Sequence, residues 1–160
     1  MAAGQYFAWY AFDQIVYDIR GEEHPEAASL TIKRGTPIKL DSNGRVDALG
    51  SSAGTPYGVT LEAGHNGTAG QYRIKVARLA PGDVWVVPLL EALAQNLVGQ
   101  SGGDCGLVKD STTGFWYAST ANSDAQCRVV GYIEPPAGMN IGDTKAPIKV
   151  QFHEDKLQIS

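Results

Sequence analysis

An all-β chain, folded as a compact barrel-like domain, is predicted by three observations. Apolar residues recur with a period of two, turn-forming residues are frequent, and one β unit is written twice. The 160 residues include 19 glycines and 8 prolines, a composition that favours many tight turns over long helices. The first copy of the unit runs from Gly35 to Gly44, through Pro56 to Glu62, to Arg73–Ala77; the second runs from Cys105 to Gly114, through Val130 to Glu134, to Pro147–Phe152. Asp41 aligns with Asp110, Gly58 with Gly131, Glu62 with Glu134 and Val76 with Val150, at offsets that drift by a few residues. A bounded drift is what a duplicated unit with loop insertions produces.

The elements follow in order. Ile15, Val16, Tyr17 and Ile19 mark a leading strand, and Leu30 with Ile32 a second. Pro37-Ile38-Lys39-Leu40 alternates toward Ser42-Asn43-Gly44, a hairpin turn because Asn and Gly tolerate positive φ. Tyr57 to Leu61, Tyr72 to Val76 and Val84 to Val87 continue the pattern. One helix is expected over 88–98: Pro88 suits a first turn, Leu89, Leu90, Leu93 and Leu97 share a stripe, and Gly99 stops it. In the second copy, Thr112-Thr113-Gly114 is the hairpin turn before Phe115, Trp116, Tyr117 and Ala118. The expected division is 1–28 as an N-terminal aromatic arm and leading strand, and 29–160 as the β-barrel domain, with repeats over 29–87 and 103–153.

The arm has the most unusual composition. Tyr6, Phe7, Trp9, Tyr10 and Phe12 fall within one short stretch. Such rings are costly to leave in water, so the stretch either folds over the barrel as a strand or docks on another protein. Trp85 and Trp116 belong either to the core or to an oligomer interface, the core being the commoner fate of a strand tryptophan.

Charge and composition narrow the function. A net charge of −4 with no Lys/Arg cluster argues against nucleic-acid binding. No stretch approaches the roughly 20 apolar residues of a membrane span, and the start lacks a secretory signal, so a protein made in a cytoplasm is expected. Cys105 and Cys127 form no CxxC site or disulfide framework. Two buried or idle thiols, or a single bond pinning the second repeat, remain as readings. Asn66-Gly67-Thr68 has the form of a glycosylation acceptor and reads more simply as a turn.

Enzyme-like patterns lack their contexts. Ser52 in Gly50-Ser51-Ser52-Ala53-Gly54 and Ser101 in Gly99-Gln100-Ser101-Gly102-Gly103 have the spacing of a nucleophile elbow or protease loop. Neither has the required strand before and helix after. His24, His65 and His153 stand in polar contexts with no orienting carboxylate evident. His24-Pro25-Glu26 has the H-x-E form of a zinc deaminase without the P-C-x-x-C partner. Asp41-Ser42-Asn43-Gly44 starts like a calcium loop without its bidentate glutamate. Asp41 and Asp110 read as the same turn made twice. The expectation is therefore a non-enzyme with no catalytic, cofactor-binding or metal-binding residues and no cofactor.

The string Ile32 to Asp41, then Asn43-Gly44-Arg45-Val46, then Pro56 to Ala63, resembles the head decoration, or capsid cement, proteins of tailed bacteriophages; Gly82-Asp83-Val84-Trp85-Val86 resembles their later "G-D-x-V-x-V" strand. The resemblance covers about residues 30–90. It implies a mainly β structural virion protein, made in the host cytoplasm, that binds the outer surface of a phage capsid and stabilises contacts between major capsid subunits. It further implies a homotrimer on the shell, with no nucleic-acid or membrane partner. On that reading Tyr6, Phe7, Trp9, Tyr10 and Phe12 meet the capsid. The rival is a virion-surface module that recognises a glycan or host receptor, with Trp116 and Tyr117 beside Asn122 and Asp124 as a sugar platform.

Overall fold

The computed structural model describes residues 21–50, 54–92, 103–112, 114–121, 125–133, 138, 140, 143–144, 146–158. The aromatic arm and the strand expected at 15–19 lie outside them. Among the described residues, ten strands form two sheets: β1 Gly21–Pro25, β2 Pro37–Leu40, β3 Val46–Ala48, β4 Gly58–Thr60 and β5 Arg73–Arg78 in one, β6 Val84–Pro88, β7 Asp104–Lys109, β8 Trp116–Ser119, β9 Cys127–Tyr132 and β10 Pro147–Phe152 in the other. A 3-10 turn, Glu154–Lys156, follows.

The duplication is visible in the topology. The first sheet has the order β1-β5-β4-β2-β3 and the second β6-β10-β9-β7-β8, so each strand of one has a counterpart at the same place in the other. Each sheet also curls until its edges meet. Glu26, just past β1, bridges Val46 of β3 in parallel, and Leu89, just past β6, bridges Ala118 of β8 in the same sense. The following amides repeat the match: Ala27 N–H donates to the Val46 carbonyl and Leu90 N–H to the Ala118 carbonyl. Closing the edges removes unpaired ladder groups that would otherwise invite aggregation.

The two hairpins show why the aspartates recur. Asp41 Oδ1 accepts from Asn43 N–H at 2.8 Å, and Asp110 Oδ1 accepts from Thr112 N–H at 2.8 Å. Gly44 and Gly114 take φ of +72° and +76° before the return strands, a conformation that suits glycine. Both aspartates are therefore turn residues, as their symmetric placement predicts.

Alternating side chains divide the core. Leu30, Ile38, Val46, Tyr57, Ile74 and Val76 fill the first barrel. Val59, Ala77 and Leu79 face outward from it and join Trp85, Leu107, Trp116, Val129, Ile148 and Val150 in a second, larger cluster. The barrels thus share one apolar seam. Polar stitches cross it: Gln126 Nε2 donates to the Gly54 carbonyl at 3.2 Å. Gln158 pairs through its side-chain amide with both the N–H and the carbonyl of Leu40, at 2.8 and 2.9 Å.

Three expectations are corrected. The helix expected from Pro88 does not begin there: Pro88 ends β6 opposite Pro147, and Leu89 bridges β8. Residues 88–92 are non-helical, while 93–98 lie outside the described residues. The strand expected around Leu30 and Ile32 is a loop. Its carbonyls still pair, with Asn66 and Gly64 N–H groups, but Ser29 at φ +57° breaks a regular ladder. Finally, the strands divide between 78 and 84 rather than between 87 and 103. Val84–Pro88 belongs to the second sheet because it pairs with β10.

Candidate functional site

The equivalence of the barrels exposes one strong asymmetry. In register, Glu22 stands opposite Val76 and His24 opposite Ile74, while Trp85 stands opposite Val150 and Val87 opposite Ile148. Glu22, His24 and Glu26 of the first barrel thus occupy the places of Trp85, Val87 and Leu89 in the second. They are alternate residues, so they share one face of the chain. Where the second barrel buries an apolar stripe, the first carries two carboxylates and an imidazole.

Each of these groups has a partner. Tyr57 Oη donates to Glu22 Oε2 at 2.5 Å, and His24 Nε2 lies 3.0 Å from the same oxygen. The His24 ring meets Tyr57 edge-on at 5.4 Å, and the Arg78 guanidinium sits 5.3 Å from the Tyr57 centroid. The Tyr57 hydrogen bond, with smaller help from His24, holds the Glu22 carboxyl below its ordinary range. Burial, then the Glu22 carboxylate, pushes the Tyr57 phenol up to about 12.

Glu26 is the deeper group, 1% exposed. Its Oε2 accepts from His65 N–H at 3.1 Å and its Oε1 lies 2.5 Å from His65 Nδ1. The His65 ring stacks on Tyr72 at 4.9 Å between centroids. Main-chain bonds complete the hub: Glu26 N–H donates to the Tyr72 carbonyl, and Gly70 N–H donates to the Glu26 carbonyl. The β4–β5 loop is thereby strapped to the point where the first barrel closes. Hydrogen bonding to Glu26 raises the His65 pKa above its ordinary value. Asn66 in this loop takes φ +53°, consistent with the turn expected at Asn66-Gly67-Thr68.

A third cluster lies on the second barrel. Asp104 Oδ1 accepts from Arg128 Nε at 2.6 Å, and His153 Nε2 stands 3.6 Å away. The Arg128 contact holds the Asp104 carboxyl below its usual range. All three histidines therefore have carboxylate partners, contrary to the expectation that none is oriented. Glu22 and His24 stand at i, i+2 on β1, a strand that the sequence pattern did not reveal. The other two join residues far apart in the chain, which no local pattern reveals.

The remaining sequence candidates separate cleanly. Trp85 and Trp116 are 1% and 2% exposed and belong to the larger core, the first of their two expected fates. Tyr117 is buried beside Trp116, which removes the sugar platform expected there; Asn122 and Asp124 lie outside the described residues, as do the arm residues, Ser52 and Ser101. Cys105 and Cys127 are buried free thiols. His24 and Glu26 bond different partners rather than one ion. No three His, Cys, Asp or Glu groups among the described residues converge to hold a metal. A cavity of about 60 Å³ lies between the barrels, lined by Thr31, Lys33, Thr36, Lys109 and Trp116, far below the roughly 300 Å³ of small-ligand sites.

The chain matches no model of a known protein family, and a search of curated proteins finds no match.

Proposed function

We propose that this chain is a structural virion protein that binds the outer surface of a phage capsid and stabilises contacts between major capsid subunits, with no catalytic role. One observation carries the reading: the residues of the capsid-cement resemblance build strands of the first barrel and lead into the first strand of the second. Gly35 to Asp41 supplies β2 and its turn, Pro56 to Glu62 supplies β4, and Gly82 to Val86 leads into β6. The same plan, built twice and joined through an apolar seam, supports a rigid body suited to bridging neighbouring subunits. Separating subunits that share such a ligand requires breaking its contacts as well. Assembly as a homotrimer would multiply weak contacts into avidity.

The capsid-facing role falls to Tyr6, Phe7, Trp9, Tyr10 and Phe12, with Trp9 as the anchor, since aromatic side chains dominate interface energetics. The glycan or receptor module is the weaker reading because Trp116 and Tyr117 are buried. The test is co-sedimentation of the full chain with expanded and unexpanded phage shells, alongside a variant lacking residues 1–12. Saturable binding to expanded shells alone, lost in the shortened variant, is expected. Absence of binding to either shell form sinks the proposal.

A further inference from the structure

Cys105 of the second barrel stands where Thr36 stands in the first, and Cys127 faces it across the neighbouring strand as Thr60 faces Thr36. Thr36 precedes the turn residue Asp41 by the same spacing as Cys105 precedes Asp110. Thr60 N–H donates to the Thr36 carbonyl at 3.0 Å, and Thr36 N–H donates to Thr60 Oγ1 at 3.1 Å. Thr60 Oγ1 in turn donates to the Lys33 carbonyl at 3.1 Å. In the second barrel Cys105 lies directly opposite Cys127 across β7 and β9, with both side chains buried.

The thiols do not reproduce that stitching. Their sulfurs stand 3.7 Å apart, within weak hydrogen-bond reach of each other, and each also reaches a carbonyl at 3.4 Å. A thiol is a weak donor and a weak acceptor. The join needs support, because β7 and β9 share only the Asp104–Arg128 and Cys105–Cys127 pairs. Beyond them, Leu107 N–H turns to the Gln126 side chain.

We propose that Cys105 and Cys127 form a reversible intrachain disulfide on exposure to a small-molecule disulfide such as oxidised glutathione. One thiolate attacks the small disulfide, displacing one small thiol and leaving a mixed disulfide. The second cysteine, losing its proton, displaces the other small thiol and forms the Cys105–Cys127 bond. The protein loses two electrons and two protons, and the small disulfide is reduced to two thiols. The sulfurs must close to about 2.05 Å, a short approach for side chains already face to face. The bond with Cys105 and full burial hold the Cys127 thiol well above its ordinary pKa, so the reaction proceeds through transient opening of the second barrel and is slow. This inference does not depend on the capsid reading.

The test incubates the full chain in glutathione buffers of increasing oxidation, then measures intact mass after alkylation, maps peptides and records Tm. The expected result is loss of two hydrogens from the mass, one peptide joining Cys105 to Cys127, and a Tm rise of about 6–12 °C for closing a loop of this length, reversed by dithiothreitol. A variant carrying both Cys105→Thr and Cys127→Thr should fold and show a Tm indifferent to the buffer. Mild urea should speed closure in the native sequence. Thiols that stay alkylatable in urea under fully oxidising conditions, glutathione adducts on both cysteines, or disulfide-linked dimers would each overturn the proposal.

Discussion

Replacing Gln126 with leucine tests whether one buried amide holds the two barrels together. Gln126 is fully buried, and its Oε1 accepts from Leu107 N–H at 2.9 Å while its Nε2 donates to the Gly54 carbonyl at 3.2 Å. Its main-chain bonds, to Cys105 and His153, survive the substitution. Leucine is close in size, so little cavity term is added. What is lost is the partner of the Leu107 amide, which belongs to a fully buried residue, costing about 1–3 kcal/mol. The Gly54 carbonyl belongs to an exposed residue and recovers water, so that bond adds about 1 kcal/mol. The sum, about 2–4 kcal/mol, corresponds to a Tm loss of about 4–16 °C for a chain of this size. Urea unfolding followed by tryptophan fluorescence reads it as a lower midpoint with an unchanged slope. Gln151→Leu is the control, because its Nε2 bond to the Gly82 carbonyl lies at the surface and its removal should cost under about 0.5 kcal/mol. A Gln126→Leu variant no less stable than Gln151→Leu refutes the reasoning.

Tyr57→Phe should remove the phenol transition expected at about 12 from an ultraviolet pH titration; a spectrum that keeps it shows the assignment to be wrong. The raised His65 pKa implies stabilisation fully present below the unfolded-state value and lost as pH rises through the folded-state value. His65→Ala should therefore lower Tm more at mildly acidic pH than in alkali, and an equal loss at both would contradict this. At Gly58 an added Cβ would lie 2.6 Å from the Ala77 carbonyl oxygen, whereas at Gly131 the nearest atom is 3.6 Å away on the flexible Lys149 side chain. Gly58→Ala should accordingly cost about 1–3 kcal/mol in chemical denaturation, and Gly131→Ala should be nearly neutral.

Strands with an apolar inward face were legible, because alternation survives wherever one face is buried: β2, β5 and β10 all show it. The same rule explains why β1 was missed. Its inward residues, Glu22 and His24, are polar, and its sequence contains a proline, tolerated here at the end of an edge strand. The helix expected at Pro88 failed because Leu89 and Leu90, two of the four leucines of its stripe, are used otherwise: Leu89 is buried at the barrel closure and Leu90 is exposed. Tertiary closure overrode local periodicity. The Glu26–His65 and Asp104–His153 pairs depend on how the barrels roll, a property of the whole fold. The repeated aspartates were readable because an Asx turn is local and needs only its own neighbours.

The amide pairing of Gln158 with Leu40 sets a condition on the order in which the chain can mature. The two residues are 118 apart in sequence, and Gln158 N–H also donates to the Pro56 carbonyl. A nascent chain can therefore roll its first barrel while the second is still being synthesised, yet it leaves the Leu40 amide and carbonyl without this partner until Gln158 has emerged and docked. Such a contact carries a large loop-closure cost and belongs to the slow end of folding. Gln158 thus acts as a late seal on β2: only a molecule translated past this residue can give Leu40 both of its amide partners.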